Sequence, residues 1–529
     1  MKKIKYIIAL TLFAFIAPSC KKVIDLEPIS NTGTEDFYKN YTETNVALTG
    51  CYNGLHEPLY NEWMFAELRG DNSYQGSTGS SATQNTELDE LDMFTLNPSH
   101  DKVYDYWLST YKNIRAINYV LNSLGVNYQN GNIDITDGTA QMNAQQKNEI
   151  AGEALFLRAY HYFNLVRLYG GVFVITEPVD PKTAKQRDRN TVEECYQLIT
   201  ADLLKAKELL PSKTFSQLNT SNLGRANIWA AKSLLAKVYL TLDRKADALP
   251  LLNDVIDNSG YDLLSSYEDV FSINNEMNKE IIFAVRYKGG GLGLGSPFAN
   301  LFAPTGSGNA VVNNDGNGYN DPTESIKMVY KTPFTGPSDV RKNVNIGQYS
   351  PTVSYVKKFT SQVINRYDAE NDFPIIRFSD VLLMKAEAVG FDGADGTSVS
   401  IINRIRERAG AADYPGTGNF NSVFYKYPAT GANAIDASTF KDALFNERRL
   451  EFAFENQRYF DILRSGDALE TIRANFAQEY DSHYSKYRPV VTLEELQGYV
   501  TQDRLLLPIP QREIDTNDQI KISQNTGYF

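Results

Sequence analysis

The spacing of apolar residues along the chain predicts a protein built mainly of α-helices. Between residues 104 and 124, large apolar side chains recur every three or four positions, which is the period of one helix face. The same period predicts helices over residues 149–169, ended by two glycines, and over residues 192–210. Residues 224–258 predict two further helices that follow one another closely.

That last stretch has the pattern of a tetratricopeptide unit, in which two helices touch through small residues and large residues fill the space between them. The positions concerned are Leu235, Ala236, Tyr239, Ala248, Leu252 and Val255. Looser copies are formed by Ala386, Ser398, Ile402 and Ile405, and by Ala159 with Tyr162. Because small residues let helix pairs stack, these patterns favour a helical-repeat scaffold over chance amphipathic pairs. The irregular spacing indicates a scaffold inside a globule and not an open solenoid.

Long polar stretches rich in glycine separate the helices. They cover residues 71–90, 289–319 and 410–436. Loops of this length in a compact protein are either functional or disordered, so recognition is expected there. An apolar run over residues 281–287 predicts a buried strand that leads into the second stretch.

One charged stretch, residues 446–464, predicts a single helix with charges of alternating sign on one side. The charged positions are Glu447, Arg448, Arg449, Glu451, Glu455, Arg458, Asp461 and Arg464. The other face would hold Leu450, Phe454 and Ile462. Ion pairs between successive turns and a packed stripe explain this stretch without any catalytic role.

The first twenty residues predict an export signal. Lys2, Lys3 and Lys5 precede an apolar run over residues 6–16, which is too short to span a bilayer. Small residues then lead to Cys20, the arrangement of a lipobox in which the cysteine is acylated and becomes the first mature residue. Several acyl chains would hold the protein at a membrane, whereas one gives marginal binding. The alternative is a cleaved signal with an incidental cysteine.

Charge and cysteine content narrow the function further. Removing the signal peptide, residues 1–19, takes three lysines from a chain of net charge −12 and leaves −15. A surface this acidic argues against nucleic acid as a partner. Cys51 and Cys195 remain beside Cys20, too few for a disulfide framework. We expect residues 20–529 to form a single domain, a helical-repeat scaffold with a loop-rich ligand-binding face.

Sequence motifs for catalysis or cofactor binding are missing, so neither an enzyme nor a cofactor is predicted. The four histidines are not spaced as a metal pair, and the chain has no Gly-x-Ser-x-Gly elbow and no phosphate-binding loop. One weak calcium-loop match remains. Its side chains are Asn313, Asp315, Asn317 and Glu324, with Gly318 at the turn. The competing interpretation is a helix start with Asp321 as its N-cap.

Aromatic residues point to the chemistry of a ligand, since the chain has 33 Tyr, 27 Phe and 3 Trp. Aromatic faces stack on sugar rings and grip peptide side chains, while Arg, Asp and Asn hydrogen-bond to hydroxyl groups. The candidate ligand-binding residues are Trp63, Arg69, Asp71, Asn72, Tyr74, Arg286, Tyr287, Phe298 and Tyr319. For each of them, a solvated loop or a buried aromatic is the alternative interpretation.

Five ordered stretches resemble the SusD/RagB family of outer-membrane nutrient-binding lipoproteins of Gram-negative bacteria. They are residues 20–28 (CKKVIDLEP), 154–171 (ALFLRAYHYFNLVRLYGG), 373–388 (FPIIRFSDVLLMKAEA), 446–464 (NERRLEFAFENQRYFDILR) and 505–515 (LLLPIPQREID). The resemblance implies a mostly helical fold with tetratricopeptide-like units wrapped by irregular segments.

The resemblance also implies a function: binding a glycan nutrient at the cell surface and delivering it to a SusC-like TonB-dependent transporter, on which the protein sits as a lid. Two alternatives stay open. One is the same architecture with a peptide ligand, as the RagB-like branch implies. The other is a lipid-anchored hydrolase that uses carboxylates in the loops.

Overall fold

The computed structural model describes residues 37–76 and 85–528. The signal peptide, the lipidation candidate Cys20 and part of the first polar stretch therefore lie outside the described residues. The helices are α1 (Tyr41–Asn53), α2 (His56–Ala66), α3 (Thr86–Asp92), α4 (Asp101–Ser123), α5 (Ala144–Tyr169), α6 (Pro181–Ala184), α7 (Val192–Leu209), α8 (Ile228–Thr241), α9 (Lys245–Asn258), α10 (Phe298–Phe302), α11 (Glu324–Val329), α12 (Arg341–Asn345), α13 (Phe378–Val389), α14 (Thr397–Arg408), α15 (Phe440–Glu451), α16 (Arg458–Ser465), α17 (Ala468–Glu479), α18 (Leu493–Tyr499) and α19 (Gln511–Thr516).

Strands are short and pair two by two, all antiparallel, in the described part of the chain. They are β1 (Ser73–Tyr74), β2 (Val126–Gln129), β3 (Asn132–Ile135), β4 (Ile281–Val285), β5 (Asp321–Pro322), β6 (Ile346–Ser350), β7 (Val353–Val356) and β8 (Phe373–Arg377). β1 pairs with β5, β2 with β3, β4 with β8, and β6 with β7. The fold is mainly α, as the apolar spacing predicts, and the strand predicted from residue 281 is confirmed as β4.

Helices that are close in sequence pack together in pairs, which confirms the helical-repeat prediction. α8 packs on α9 and α13 on α14, while α5 lies along α7. The small residues predicted at the contacts, such as Ala236 and Ala248, have no exposed surface. Good local signals fix the helix starts: Asn143 and Thr191 each form a capping box at the start of α5 and α7.

The stretch predicted as one helix over residues 446–464 is instead two. α15 ends at Glu451 and α16 begins at Arg458, and the link contains Phe454 and Asn456 with φ values of 67° and 58°. A left-handed backbone at residues other than glycine cannot continue a helix. The single-helix prediction was therefore wrong, because apolar period alone does not reveal a break of six residues.

The eight charged side chains of that stretch form what we call the buried charge cluster, and their partners come mostly from distant segments. Arg377 of β8 binds Glu455 at 2.7 Å and Glu451 at 3.0 Å. Arg341 binds Glu447 at 2.6 Å. The prediction of ion pairs is confirmed, but the pairs join the helical pairs to the wrapping segments and do not line a solvated helix face. Removing one member of such a pair leaves an uncompensated buried charge, which is strongly destabilising.

One continuous hydrophobic cluster contains residues from Leu48 to Tyr528 and passes through the paired helices. Cys51 and Cys195 are both buried, and they do not form a disulfide. In the described ranges, no helix is both long and apolar enough to cross a bilayer.

Candidate functional site

The first predicted binding segment, which follows α2, is part of the interior. Trp63 is buried and meets Phe302 edge to face, with ring centroids 5.2 Å apart. Arg69 is also buried and lies between the rings of Phe94 and Tyr459, 4.6 and 4.8 Å from their centroids. Both side chains therefore fill core positions, and neither offers a surface to a ligand.

Asp71 and Asn72 bind to the buried charge cluster. The guanidinium of Arg458 donates to both carboxylate oxygens of Asp71, one of them at 2.8 Å, and Arg449 lies 3.3 Å from the same carboxylate. Arg449 also donates to the side-chain oxygen of Asn72 at 2.8 Å. Burial alone would raise the pKa of Asp71, but Arg449 and Arg458 outweigh burial and lower it to about 2. The segment expected to be a surface loop is thus buried and bonded to the arginines of the buried charge cluster.

Tyr74, in β1, lies at the end of this buried segment and is half-buried. Its ring stacks on His483 with centroids 3.8 Å apart. Its backbone pairs with Asp321 of β5. The expectation that these candidates lie on a surface loop is therefore corrected: Asp71, Asn72 and Tyr74 contact residues several hundred positions away, which no local pattern in the sequence indicates.

The second predicted segment is divided between core and surface. Phe298, in α10, has no exposed surface and packs against Phe302 and Phe373. Tyr287 is buried beneath His56, with the two rings stacked at 4.3 Å. Arg286, by contrast, keeps 42% of its side chain exposed, and Tyr319 is half-buried at the surface. Of the nine predicted ligand contacts, Arg286 is thus exposed, Tyr74 and Tyr319 are half-buried, and the other six are buried.

The four calcium-loop side chains bind four different protein partners. Asn313 donates to the carbonyl of Val363, and Asp315 accepts from the amide of Gly306. Asn317 accepts from Arg366, and Glu324 pairs with Lys327. In the residues that the structure covers, no cluster of three or more His, Cys, Asp or Glu side chains is placed to hold a metal ion.

The helix start weighed against the calcium loop lies slightly further on than predicted. α11 begins at Glu324, and its N-cap is Thr323, whose hydroxyl accepts from the amide of Ile326. Asp321 is in β5 and is not the cap.

Tyr319 has two exposed tyrosines as neighbours, and together we call them the tyrosine shelf. Tyr60 lies on α2 with 37% of its surface exposed. Tyr367 lies in the loop between β7 and β8 with 38% of its surface exposed. Partial burial, then the nearby hydroxyls of Tyr367 and Tyr319, raise the pKa of Tyr60. Three rings from three separate segments thus share one patch of surface.

Polar groups stand beside these rings in fixed positions. The guanidinium of Arg366 lies 4.9 Å from the centre of the Tyr367 ring and donates to the side-chain oxygen of Asn317 at 2.9 Å. The hydroxyl of Tyr367 donates to the same oxygen at 2.9 Å. Arg366 therefore covers one face of the Tyr367 ring, and the aromatic surface that remains, with the amide of Asn317 beside it, suits a ligand that has both an apolar face and hydroxyl groups.

A buried asparagine of α10 holds the two loops of the shelf together. Asn300 has no exposed surface; its amide donates to the carbonyl of Asp315 at 3.0 Å, and its oxygen accepts from the amide of Tyr367 at 2.7 Å. Its own carbonyl accepts from the amide of Asn317. Small apolar residues seal the gap beneath the loops; they are Ala299, Ala303, Val312, Val363 and Ala369. The shelf is therefore a preformed feature of the fold.

Of the residues at the shelf, the sequence pointed to Tyr319 as a ligand contact and to Asn317 only as a calcium ligand, and it did not point to Tyr60, Arg366 or Tyr367. Tyr60 lies on a helix and Tyr367 lies in a short loop that was not among the long polar stretches. One signal was present: Asn365, Arg366 and Tyr367 repeat the combination of amide, guanidinium and aromatic ring used to select residues 69–75.

Comparisons with known proteins cover nearly the whole chain. SusD-like protein P25 of Formosa agariphila is 24% identical, over 99% of this chain and 100% of its own length. A SusD-like protein of Bacteroides ovatus is 25% identical over 94% of this chain and 88% of its own.

Solved structures agree in fold. A laminarin binding SusD-like protein superposes with a TM-score of 0.70 at 24% identity, over 93% of this chain and all of that one. Surface glycan-binding protein A from Bacteroides thetaiotaomicron, in complex with laminarihexaose, gives a TM-score of 0.69 at 19% identity, over 92% of this chain and 99% of that one.

Two family models divide the chain between them. One, described as the SusD family, matches residues 279–528. The other, described as starch-binding and associating with the outer membrane, matches residues 29–240. The N-terminal and C-terminal parts of the chain therefore each match a SusD-type family model, in agreement with the five sequence stretches. The chain belongs to the SusD/RagB family.

Proposed function

We propose that this protein is a cell-surface lipoprotein that binds a glycan nutrient on the tyrosine shelf and delivers it to a SusC-like TonB-dependent transporter. The observation that carries the proposal is a preformed group of three rings, the exposed Tyr60 and Tyr367 and the half-buried Tyr319, which lie beside the fixed polar groups of Asn317 and Arg366. Stacking rings and hydrogen-bonding groups at one site match a sugar, which has an apolar face and a rim of hydroxyls.

Family membership supports the same ligand class. The matching family is one of carbohydrate-binding proteins and not of enzymes. Two structural neighbours are described as laminarin binding or as bound to laminarihexaose. Which glycan this chain takes is set by its own shelf residues.

The proposed mechanism is capture followed by handover, with no covalent step. Each contact on an exposed shelf contributes little, so moderate affinity comes from several rings and hydrogen bonds acting together. Acylation of Cys20 would keep the protein beside its transporter and raise the effective concentration of lid over barrel. A hinge motion between packed bodies would then open the lid and release the glycan into the barrel.

The first experiment tests the shelf with native affinity gels that contain laminarin, starch, xylan or pectic galactan. We expect wild-type protein to be retarded by at least one of them, and Tyr367→Ala to bind it about tenfold more weakly, which corresponds to about 1.4 kcal/mol. Phe334→Ala is the matched control, since Phe334 is a fully exposed aromatic outside the shelf. Equal loss in both variants would remove the shelf from the proposal.

A second measurement separates glycan binding from the two alternatives. Prolonged incubation with the bound polysaccharide should release no new reducing ends, whereas a hydrolase would release them. On a peptide array, Tyr367→Ala should bind the same peptides as the wild type, or neither protein should bind any. Release of sugars, or shelf-dependent peptide binding, would overturn the glycan-delivery proposal.

The anchor and the partner are tested in the membrane fraction. Cys20→Ala should move the protein from outer membranes into the soluble fraction, and intact mass should show acyl chains only on the wild type. The wild type should also purify from detergent-solubilised outer membranes with a TonB-dependent β-barrel.

A further inference from the structure

A concave site, which we call the side cleft, shares helix α2 with the tyrosine shelf. It has a volume of about 560 Å³ and is bounded by the end of α1, the start of α2, the loop over residues 223–225, and the end of β4. Ligand sites commonly have volumes of about 300–1,000 Å³ and mainly apolar walls with a few polar groups. The side cleft fits this description, with Leu55, Leu223, Ala284 and Leu294 among its walls.

The side cleft and the shelf share two structural elements. His56, which lines the cleft, and Tyr60, which belongs to the shelf, are four residues apart on α2, so they lie one above the other, about 6 Å apart along the helix axis. The loop that carries Leu294 is tied to the Tyr367 loop, because the amides of Gly290 and Gly291 donate to the carboxylate of Asp368. The cleft and the shelf are therefore close enough for one oligomeric ligand to reach both.

The cations of the cleft are neutralised by carboxylates. Arg225 binds Glu153 at 2.7 Å, and Arg286 binds Asp372 at 2.6 Å. Lys288 binds Glu370 at 3.0 Å. Since every positive group already has a negative partner, the cleft offers fixed hydrogen-bonding groups and apolar walls without an excess of charge. This favours a neutral ring with hydroxyl groups over an anion or a cation.

Two glycines keep the cleft open. Gly50 lies within α1, where glycine destabilises a helix relative to alanine, yet a Cβ atom there would meet nothing within 4 Å. The fold itself therefore does not require glycine at this position. Gly224 has a φ of 93°, and a Cβ atom there would come within 2.6 Å of the Arg286 side chain. Its hydrogen lets Arg286 lie across the wall in reach of Asp372.

We propose that the side cleft is a second sugar subsite, which takes a neutral pyranose ring from the same glycan chain that lies on the tyrosine shelf. The proposal rests on the proposed function and adds to it: the ligand is an oligomer long enough, or branched enough, to occupy both places. Short fragments occupy the shelf alone.

The test fills the cleft from its open wall. Gly50→Leu places a side chain in the space that Gly50 leaves free, on a helix that tolerates it. The matched control is Gly498→Leu, because Gly498 is also an exposed helical glycine whose Cβ would meet nothing within 4 Å, and it lies in α18 away from the cleft. Thermal unfolding of both variants checks that the fold is retained.

The probes are laminarin, starch, xylan and pectic galactan, followed by the two- to six-unit oligosaccharides of the polysaccharide that retards the wild type, measured by titration calorimetry. We expect wild-type affinity to rise about tenfold between the shortest and the longest fragment. Gly50→Leu should lose that rise and keep the affinity for the shortest fragment, while Gly498→Leu should behave as the wild type.

The outcomes separate the two proposals. If Tyr367→Ala weakens binding but Gly50→Leu leaves the length dependence intact, the cleft is no subsite and the shelf still stands. If Gly50→Leu weakens binding of every fragment equally, the cleft does not act as a separate subsite. If no polysaccharide retards the wild type, the shelf proposal falls and the subsite falls with it.

Discussion

Residues 69–75 and residues 313–319 have similar compositions, and the fold puts them in opposite environments. Both combine asparagine, aspartate, glycine and tyrosine. Asp71 in the first is buried between two arginines, whereas Asp315 in the second is exposed and held by backbone amides. The difference lies in the partners: the first segment has arginines of the buried charge cluster beside it, and the second has only small residues and one asparagine beneath it. A polar segment is thus a recognition site only where the rest of the chain leaves it uncovered.

The largest expected effect is on stability and concerns the buried segment, residues 69–75. Asp71→Asn leaves Arg458 and Arg449 without their carboxylate, so we expect the free energy of unfolding to fall by about 3–5 kcal/mol, measured by urea denaturation. Glycan affinity of the folded protein should not change. Glu57→Gln is the control, because it breaks only a surface pair with Lys112 and should cost less than about 1 kcal/mol. Lost glycan affinity at unchanged stability would return Asp71 to the ligand contacts.

An intermediate effect is expected where surface and interior meet. Asn300→Ala leaves the carbonyl of Asp315 and the amide of Tyr367 without their partner, so stability should fall by about 1–3 kcal/mol. Glycan affinity should fall about tenfold as well, because Tyr319 and Tyr367 lose their fixed positions. Asn118→Ala separates the two effects: this asparagine is equally buried and also bonds to a backbone carbonyl, but lies away from the shelf. It should lower stability alone, and a matching loss of affinity would refute the positioning role of Asn300.

The last expected effect concerns pH and a second acid of the buried segment. Glu67 has no exposed surface, and burial raises its pKa to about 8, with the nearby Glu455 and Asp71 adding to the rise. The unfolded carboxyl loses its proton near pH 4.5, so stability from this group declines as the pH rises toward 8. Glu67→Gln should remove that decline, so the free energy of unfolding of the variant should exceed that of the wild type by more at pH 8 than at pH 5 in urea titrations.

Asp71 should show the opposite sign in the same urea titrations. Because its folded pKa is lowered to about 2, its contribution is complete above about pH 4 and is lost as the pH falls toward 2. Asp71→Asn should therefore differ most from the wild type at neutral pH and least in strong acid. A Glu67→Gln variant that becomes less stable than the wild type at pH 8 would show that the Glu67 carboxylate is charged and needed.

The sequence predicted the fold well wherever local chemistry decides the structure. The capping box at Thr191 and the apolar period of residues 192–210 define α7 to within one residue. The break between α15 and α16 was not predictable in this way, because Phe454 and Asn456 take left-handed conformations that surrounding contacts impose. Local period describes a helix face, and it carries no information about what the face meets.

The site was harder to predict than the fold for a related reason. Tyr60 belongs to a helix whose other residues, such as Trp63 and Phe65, are buried, and its exposure depends on which segments pass over α2. The shelf brings together residues 60, 319 and 367, which no single stretch contains. Arg286 is exposed at a surface cleft, whereas its neighbour Tyr287 lies beneath His56. Composition can suggest the chemistry of a site, while its location depends on long-range packing.

The attachment of both shelf loops to α10 has a consequence for how ligand choice can change. The anchoring groups are one buried amide and a few methyl groups, and none of them belongs to the part of the loops that a sugar would touch. The outer residues, including Ile364, Arg366 and Asn317, can therefore be replaced while the contacts that hold the loops on α10 stay unchanged. A library that varies only these outer residues should yield stably folded proteins that bind different glycans.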